Sequence, residues 1–217
     1  MRSGIACIAL ALLLVGCAAP PPPAEPVPAQ ASVEELAAAI NASAARSERD
    51  PDPGTRERLS AQASRDAAAC LARAPRSVAC LYGQAIALGL EARAHPVRAA
   101  DLLTRMLAAL SDAEAVDPDY DNAGPARVRA LVLVRAPGWP LGPGDDDAGL
   151  IAAKRAVELR PRYPPNMLAL AEALDRTGHP VAAREAYARA RDAAQVLPMS
   201  PDRDDWIREA DQALQRK

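Results

Sequence analysis

The sequence predicts an all-α protein: a right-handed array of helical hairpins with a C-terminal capping helix. Three observations predict it. Apolar residues recur at steps of three and four, proline and glycine separate the periodic segments, and one part of the chain repeats another. The helical period is clearest in four segments, 98–116, 145–160, 164–177 and 181–195. Short turns between helices of this length favour antiparallel pairs that stack in series.

The internal repeat has a recognisable period. His95-Pro96-Val97 recurs as His179-Pro180-Val181, and Gly144 and Gly178 lie 34 residues apart, which is the period of the tetratricopeptide repeat (TPR). Small and large apolar residues fill the expected contact positions in that register: Ala156, Leu170, Ala171, Leu174, Ala183, Tyr187 and Ala190. One hairpin cannot bury its apolar face alone, so hairpins stack and a cap closes the array. Ser200-Pro201 begins that cap as an N-cap followed by proline.

The N-terminus predicts export and a lipid anchor. Arg2 precedes the apolar run Ile5–Val15, which is shorter than the roughly 20 residues of a membrane-spanning helix and is typical of a signal peptide. The run ends in Leu14-Val15-Gly16-Cys17, which resembles a bacterial lipobox and implies that Cys17 becomes the lipidated first residue. A chance cysteine after an ordinary signal peptide is the alternative. Ala18 follows instead of Asp, which favours a periplasmic protein on the outer membrane over the inner membrane.

The chain therefore divides into three parts. Residues 1–16 are the predicted signal peptide, residues 17–31 are the lipidated cysteine with a Pro/Ala-rich tether, and residues 32–217 are the predicted repeat domain. The prolines of the tether predict an extended segment that reaches roughly 40 Å. The net charge of −2 without a basic face argues against a nucleic-acid partner.

Cys70 and Cys80 are predicted to form a disulfide. Two remaining cysteines in an exported protein favour pairing. They flank the turn 74–77, and two cysteines placed at the facing ends of helices can reach the ~5.5–6 Å Cα separation that a disulfide needs. A two-cysteine metal site is the weaker alternative, because no histidine lies nearby. We expect the disulfide to staple the first helical hairpin.

The sequence predicts neither an enzyme nor a cofactor. His95 and His179 both precede proline in equivalent turns, and no third group completes an acid–base or metal-binding set. The acidic run 117–121 departs from a calcium loop, because Asn122 replaces the required glycine. The acidic run 145–147 opens a helix, where the helix dipole favours carboxylates.

The middle of the chain departs from the regular repeat. Pro118 and Pro161 lie 43 residues apart, nine more than one repeat, and the excess falls in the loop 136–144. The motifs in order are Asp-Pro-x-Tyr (117–120), Gly-Pro-x-Arg (124–127), Ala-Pro-Gly-Trp-Pro-x-Gly (136–142) and Tyr-Pro-Pro-Asn (163–166). This order resembles the TatT family, the T components of tripartite (TRAP) transporters, which are periplasmic lipoproteins.

The resemblance covers roughly residues 55–197, and its specific part is 117–166. It implies a protein that binds the periplasmic substrate-binding protein of a TRAP system and holds a small organic or hydrophobic ligand in an apolar cavity. The chain has no phenylalanine, so Leu, Val, Ala and Met would line that cavity. A generic TPR lipoprotein scaffold for envelope assembly or secretion is the alternative function, and a homo-oligomer stays open.

Tyr120 and Arg127 are candidate ligand-binding residues within this pattern. The Arg127 guanidinium would pair with a ligand carboxylate through two hydrogen bonds. The alternative, which we weigh equally, is that it pairs with the neighbouring carboxylate of Asp119 or Asp121.

Trp139 and Asn166 are the other two candidates. Trp139 would wall or gate a pocket, or would pack against its own proline-rich loop, which is the interpretation we favour. Asn166 would contact ligand, or would stabilise the turn before its helix, which we again favour. The apolar run 128–134 is predicted to be a buried helix that lines the cavity.

Overall fold

The computed structural model describes residues 31–216, so the predicted signal peptide, the lipidated Cys17 and nearly all of the tether lie outside the described residues. The described part is helical throughout and contains no β-strand, which confirms the predicted all-α class. No helix within residues 31–216 is long and apolar enough to cross a membrane. The helices are α1 Val33–Arg49, α2 Pro53–Arg73, α3 Val78–Ala94, α4 Ala99–Val116, α5 Tyr120–Arg135, α6 Asp146–Leu159, α7 Pro164–Arg176, α8 Pro180–Gln195 and α9 Pro201–Gln215.

Capping residues set where the helices begin. Ser32 and Glu35 form a capping box at α1, and the side chains of Asp52, Asp145 and Ser200 each accept a backbone hydrogen bond at the start of α2, α6 and α9. Proline lies in the first turn of α2, α7, α8 and α9, where its missing N–H has no helical partner to lose. These signals explain why the predicted segments match α4, α6, α7 and α8 to within one residue at each end.

The helices form four antiparallel hairpins, α1–α2, α3–α4, α5–α6 and α7–α8, and α9 packs on the last one as the predicted cap. Each odd-numbered helix also contacts the next odd-numbered helix, whereas the even-numbered helices of the described chain do not contact one another. The odd-numbered helices are therefore the inner, concave layer of a curved array. The curvature brings the end of α1 to the start of α9, where Arg49 and Asp202 lie 3.5 Å apart.

Small side chains allow the helices of adjacent hairpins to approach closely. Ala130, Ala153 and Ala173 are fully buried where α5, α6 and α7 meet. A Cβ atom on Gly149 would overlap the side chain of Val134, so α6 approaches α5 as closely as glycine permits. Alanine contacts therefore bring the helices together, while larger buried side chains such as Leu102, Leu110 and Leu168 fill the core, as the repeat register predicts.

The apolar run 128–134 is helical, as predicted, and forms the second half of α5. Ala130 and Val134 are buried against α6 and α7, while Val128 and Val132 are half-buried against the α3–α4 hairpin. The run is thus less completely buried than its composition predicts. It joins the core of the second hairpin to that of the third.

Cys70 and Cys80 form a disulfide with a Cα separation of 5.3 Å, and both residues are fully buried. The bond joins α2 to α3. Because α1 precedes α2, helix α2 belongs to the first hairpin and α3 to the second. The disulfide therefore links two hairpins, which corrects the expectation that it staples the first hairpin alone. The sulfur of Cys70 lies 3.9 Å from the backbone oxygen of Val33, and Ala31 also packs here. The chain therefore enters the domain at this corner.

Candidate functional site

Helix α5 begins with a left-handed turn. Asp121, Asn122 and Ala123 have φ angles of 49°, 55° and 64°. Each such residue costs about 1–2 kcal/mol when it is not glycine, and alanine has no polar side chain to offset that cost. The right-handed helix starts at Gly124-Pro125, where proline needs no hydrogen-bond acceptor. The turn must therefore be held in place by other parts of the structure.

Arg127 holds the turn through its guanidinium group. Its Nη1 donates to the backbone oxygens of Asp121 and Asn122 and to Oδ1 of Asn166, each at 3.1 Å. Its Nη2 donates to Oδ2 of Asp121 at 2.8 Å, and only 11% of the arginine side chain is exposed. Of the two alternatives for Arg127, the structure contains the internal pair with Asp121. Contact with a ligand stays a prediction.

Asn166 ties the same turn to the next hairpin. Its side chain is fully buried, and its Nδ2 donates to the backbone oxygens of Asn122 and Ala156 at 3.0 Å and of Arg160 at 3.3 Å. The side-chain amide therefore stabilises the turn before α7, which is the role that the sequence favours for Asn166. It is shielded from solvent in this arrangement.

Tyr82 connects the turn to α3. Its hydroxyl donates to Oδ2 of Asp121 at 2.9 Å, so this carboxylate accepts hydrogen bonds from both Tyr82 and Arg127. The ring of Tyr120 packs edge-to-face on Tyr82 with centroids 5.4 Å apart. Helices α3 and α5 otherwise meet over only a short length. We call Tyr82, Asp121, Arg127 and Asn166 the Arg127 cluster.

Aromatic rings continue from this cluster along the inner layer. The Arg127 guanidinium lies 5.2 Å from the ring centroid of Tyr163, and Tyr163 packs edge-to-face on Trp206 at 5.7 Å. Tyr120, Tyr163 and Trp206 are each half-buried, so each residue remains partly accessible to solvent. They belong to the starts of α5, α7 and α9, three successive inner helices. We call these three residues the inner aromatic row.

Two neighbouring motifs and one that is distant in sequence meet here. Tyr120, Arg127 and Asn166 come from the Asp-Pro-x-Tyr, Gly-Pro-x-Arg and Tyr-Pro-Pro-Asn motifs, and the cluster brings them together. Trp139 lies apart, beyond the far end of α5. Its side chain is 90% exposed, so it neither joins the cluster nor packs on its own loop as the favoured interpretation expected.

Sequence reasoning missed Tyr82 and Trp206 as members of this site. The sequence indicates Trp206 only as a packing residue of the cap helix, and its neighbour Tyr163 only as part of a turn motif. The recurrence of an aromatic residue near the start of α5, α7 and α9 is a signal that could have found the inner aromatic row.

The acidic run 117–121 turns its carboxylates towards different partners. Asp117 accepts from the backbone N–H of Asp119, Asp119 pairs with Arg160 at 2.9 Å, and Asp121 pairs with Arg127. Across residues 31–216, no group of three His, Cys, Asp or Glu side chains is placed to hold a metal ion. The run therefore fastens the turns before α5 and α7 to each other.

Burial raises the pKa of all four tyrosine hydroxyls, including three near the Arg127 cluster. The pKa of Tyr187 rises to about 12, because burial and the carboxylates of Glu172, Asp175 and Glu209 all disfavour the tyrosinate. Because the pKa of Tyr187 in the folded protein lies above its unfolded value of 10.0, its neutral hydroxyl contributes stability that is fully present below pH 10.0. That stability is lost as the pH rises through the folded pKa.

We therefore expect the free energy of unfolding to fall as the pH is raised from 10 towards 12. Tyrosinate absorbance should appear at higher pH in the native protein than in the urea-unfolded protein. The Tyr187→Phe variant should lose less stability over this interval than the wild type. Identical losses in the two proteins would contradict the role of Tyr187.

The described fold is similar to a solved structure, the crystal structure of a thermophilic TPR protein from Thermus thermophilus. The TM-score is 0.56 at 23% sequence identity, over 84% of this chain and 92% of that chain. The fold is a TPR-like array. No family model matches the sequence, and the search of curated proteins found no match. At this identity the likeness establishes the fold alone.

Proposed function

We propose that this chain is a lipid-anchored binding protein of the bacterial envelope that holds a second protein against the inner face of its array. The inner aromatic row carries the proposal, because half-exposed tyrosine and tryptophan rings are the side chains that dominate binding energy at protein interfaces. Curved repeat arrays present extended concave surfaces for such partners. The odd-numbered helices form that surface here.

The partner we propose is the periplasmic substrate-binding protein of a TRAP transporter. The resemblance of residues 117–166 supports this choice, together with the meeting of three of its motifs at the Arg127 cluster. The cluster fixes the backbone from which Tyr120 and Tyr163 project. Under this proposal the array also holds a small organic or hydrophobic ligand, and Cys17 anchors the protein in the periplasm, on the outer membrane.

A scaffold for envelope assembly or secretion is the second candidate. It is favoured by the pairing of Arg127 with Asp121, because the cluster then offers no unpaired cation to an organic acid. A scaffold would bind an extended peptide along the inner aromatic row without enclosing a small molecule. Native mass spectrometry separates the two, since only the transporter role predicts a co-purifying small molecule.

Calorimetric titration of the full-length mature chain with the purified substrate-binding protein tests the proposed partner. The Tyr163→Ala/Trp206→Ala variant should bind at least about tenfold more weakly, because one interface hot spot is worth roughly 2 kcal/mol or more. Trp139→Ala is the matched control, since it removes a tryptophan from a different surface, and its affinity should equal that of the wild type.

Circular dichroism of each variant ensures that only folded proteins are compared. Equal weakening by both variants would contradict the assignment of the inner aromatic row. If the wild type binds outer-membrane assembly proteins and not the substrate-binding protein, the transporter role fails and the scaffold role stands.

A further inference from the structure

The loop between α5 and α6 exposes a tryptophan to solvent and is closed by its own backbone hydrogen bonds. Residues 136–144 carry no charged side chain. The N–H of Gly144 donates to the Pro137 oxygen at 2.9 Å, and the N–H of Leu141 donates to the Gly138 oxygen at 3.0 Å. Yet Trp139 is 90% and Leu141 75% exposed. Large apolar side chains that are held outward by an ordered loop indicate a binding surface.

Apolar side chains occur at neighbouring tips along the same edge of the array. The hairpins α3–α4, α5–α6 and α7–α8 stack in series, so the turns that follow α3, α5 and α7 are neighbours. Val97 is fully exposed after α3, Trp139 and Leu141 are exposed after α5, and Val181 is 72% exposed after α7. The turn after α1, residues 50–52, instead carries two aspartates. We call these four apolar residues the apolar edge.

The opposite edge has a different character. Its turns 74–77, 117–119 and 160–163 expose no large apolar side chain. Among its connections only 196–200, after α8, is free of charge and exposes Val196 and Met199. Val116 at the end of α4 is 51% exposed on this side, but neither neighbouring turn, 74–77 or 160–163, exposes a large apolar side chain. Exposure on three consecutive connections therefore occurs at the apolar edge and not at the opposite one.

We propose that the apolar edge rests on a lipid surface and that Trp139 and Leu141 enter its interface. Tryptophan favours the membrane–water boundary, because its ring is apolar and its N–H can hydrogen-bond there. Asp145 and Asp147 directly follow the loop that carries Trp139, and Arg98 beside Val97 is paired with Glu91, so zwitterionic headgroups suit the loop better than anionic ones. This inference rests on the proposed lipid anchor at Cys17, which keeps a bilayer within reach.

The length of chain before the domain makes this placement feasible. The chain enters beside Cys70 and Cys80, at the edge opposite the apolar edge. Helix α3 has 17 residues and spans about 25 Å from the end that carries Cys80 to the tip that carries Val97. Residues 17–30 reach roughly 40 Å when extended, so an anchored Cys17 and the apolar edge can meet the same bilayer.

The two tryptophans of the chain provide an internal comparison. In Trp206→Phe the remaining Trp139 reports on the apolar edge, and in Trp139→Phe the remaining Trp206 reports on the inner face. We reconstitute the lipidated chain in phosphatidylethanolamine/phosphatidylcholine vesicles with brominated acyl chains. Trp139 emission should shift to shorter wavelength and be strongly quenched, while Trp206 emission stays unchanged. Unshifted and unquenched Trp139 emission would overturn the inference.

A shortened tether tests the geometry. Deleting residues 20–28 removes about 28 Å of reach, and the remaining residues cannot span the length of α3. The deletion variant should stay bound to vesicles while Trp139 loses its quenching. Quenching that survives the deletion would overturn the proposed placement.

Co-sedimentation with vesicles separates this inference from the proposed function. A wild-type chain that does not sediment with lipid shows failure of the anchor. A chain that sediments while Trp139 remains unquenched shows failure of the inference alone. A Trp139 signal that responds to the purified substrate-binding protein and not to lipid would also overturn it, in favour of a protein contact at the apolar edge.

Discussion

Replacing Arg127 with methionine should lower the free energy of unfolding by about 3 kcal/mol, the low end of the cost of breaking a buried ion pair. Methionine keeps the apolar stem but removes the donors, so the carboxylate of Asp121 and Oδ1 of Asn166 lose their partner. Because 41% of the Asp121 side chain is exposed, solvent relieves part of that loss. The left-handed turn also loses the donor that its carbonyl oxygens share.

Urea unfolding followed by circular dichroism measures this effect. Arg105→Met is the matched control, because Arg105 pairs with Asp101 at 3.9 Å and both side chains are more than half exposed. We expect that control to change stability by no more than about 0.5 kcal/mol. Similar losses in the two variants would show that the Arg127 cluster does not hold the array together.

The Arg127→Met variant should also unfold less cooperatively. Asp121, held by Arg127, accepts the hydrogen bond that Tyr82 on α3 donates to α5, and these two helices otherwise meet over only a short length. In repeat arrays the coupling between neighbours determines whether units unfold together. A broadened or two-step transition would show that the first two hairpins now melt separately from the last two.

Removing the Cys70–Cys80 disulfide should be the second-largest effect, about 2–3 kcal/mol for a cross-link between residues ten apart. The Cys70→Ala/Cys80→Ala variant should therefore unfold at a lower urea concentration than the wild type. Adding a reductant to the wild type should lower its urea midpoint by a similar amount, and the variant should not respond. If the disulfide of the wild type is fully reduced and its urea midpoint does not change, the prediction is contradicted.

The fold was predictable because its determinants are local. Helical period, proline and glycine positions and the 34-residue register all belong to short stretches of chain, and each specifies the same hairpin geometry. The disulfide partners were predictable for the same reason. The position of the disulfide relative to the hairpins was not predictable, because it depends on recognising α1 as a helix. Helix α1 buries only two large apolar residues, Leu36 and Ile40, so its sequence gives a faint helical signal.

The details of the Arg127 cluster could not be read from the sequence. They depend on three successive left-handed residues, and although Asp121 and Asn122 tolerate that conformation, Ala123 gives no indication of it. The pairing of Arg127 with Asp121 was one of two equal alternatives, because both aspartates lie within reach in sequence. The exposure of Trp139 was equally undetermined, since a loop rich in proline and glycine can shield a ring or present it.

The corner where the chain enters the domain has a mechanical consequence. Under the proposed lipid anchor, any pull from a bound partner reaches the domain first at residues 31–33, where Val33 rests against the Cys70 sulfur. The joint between the first and second hairpins is covalent there, whereas α1 is fastened by non-covalent packing. Tension would therefore peel α1 away before it could part α2 from α3, so the concave face beyond that joint would keep its shape under load.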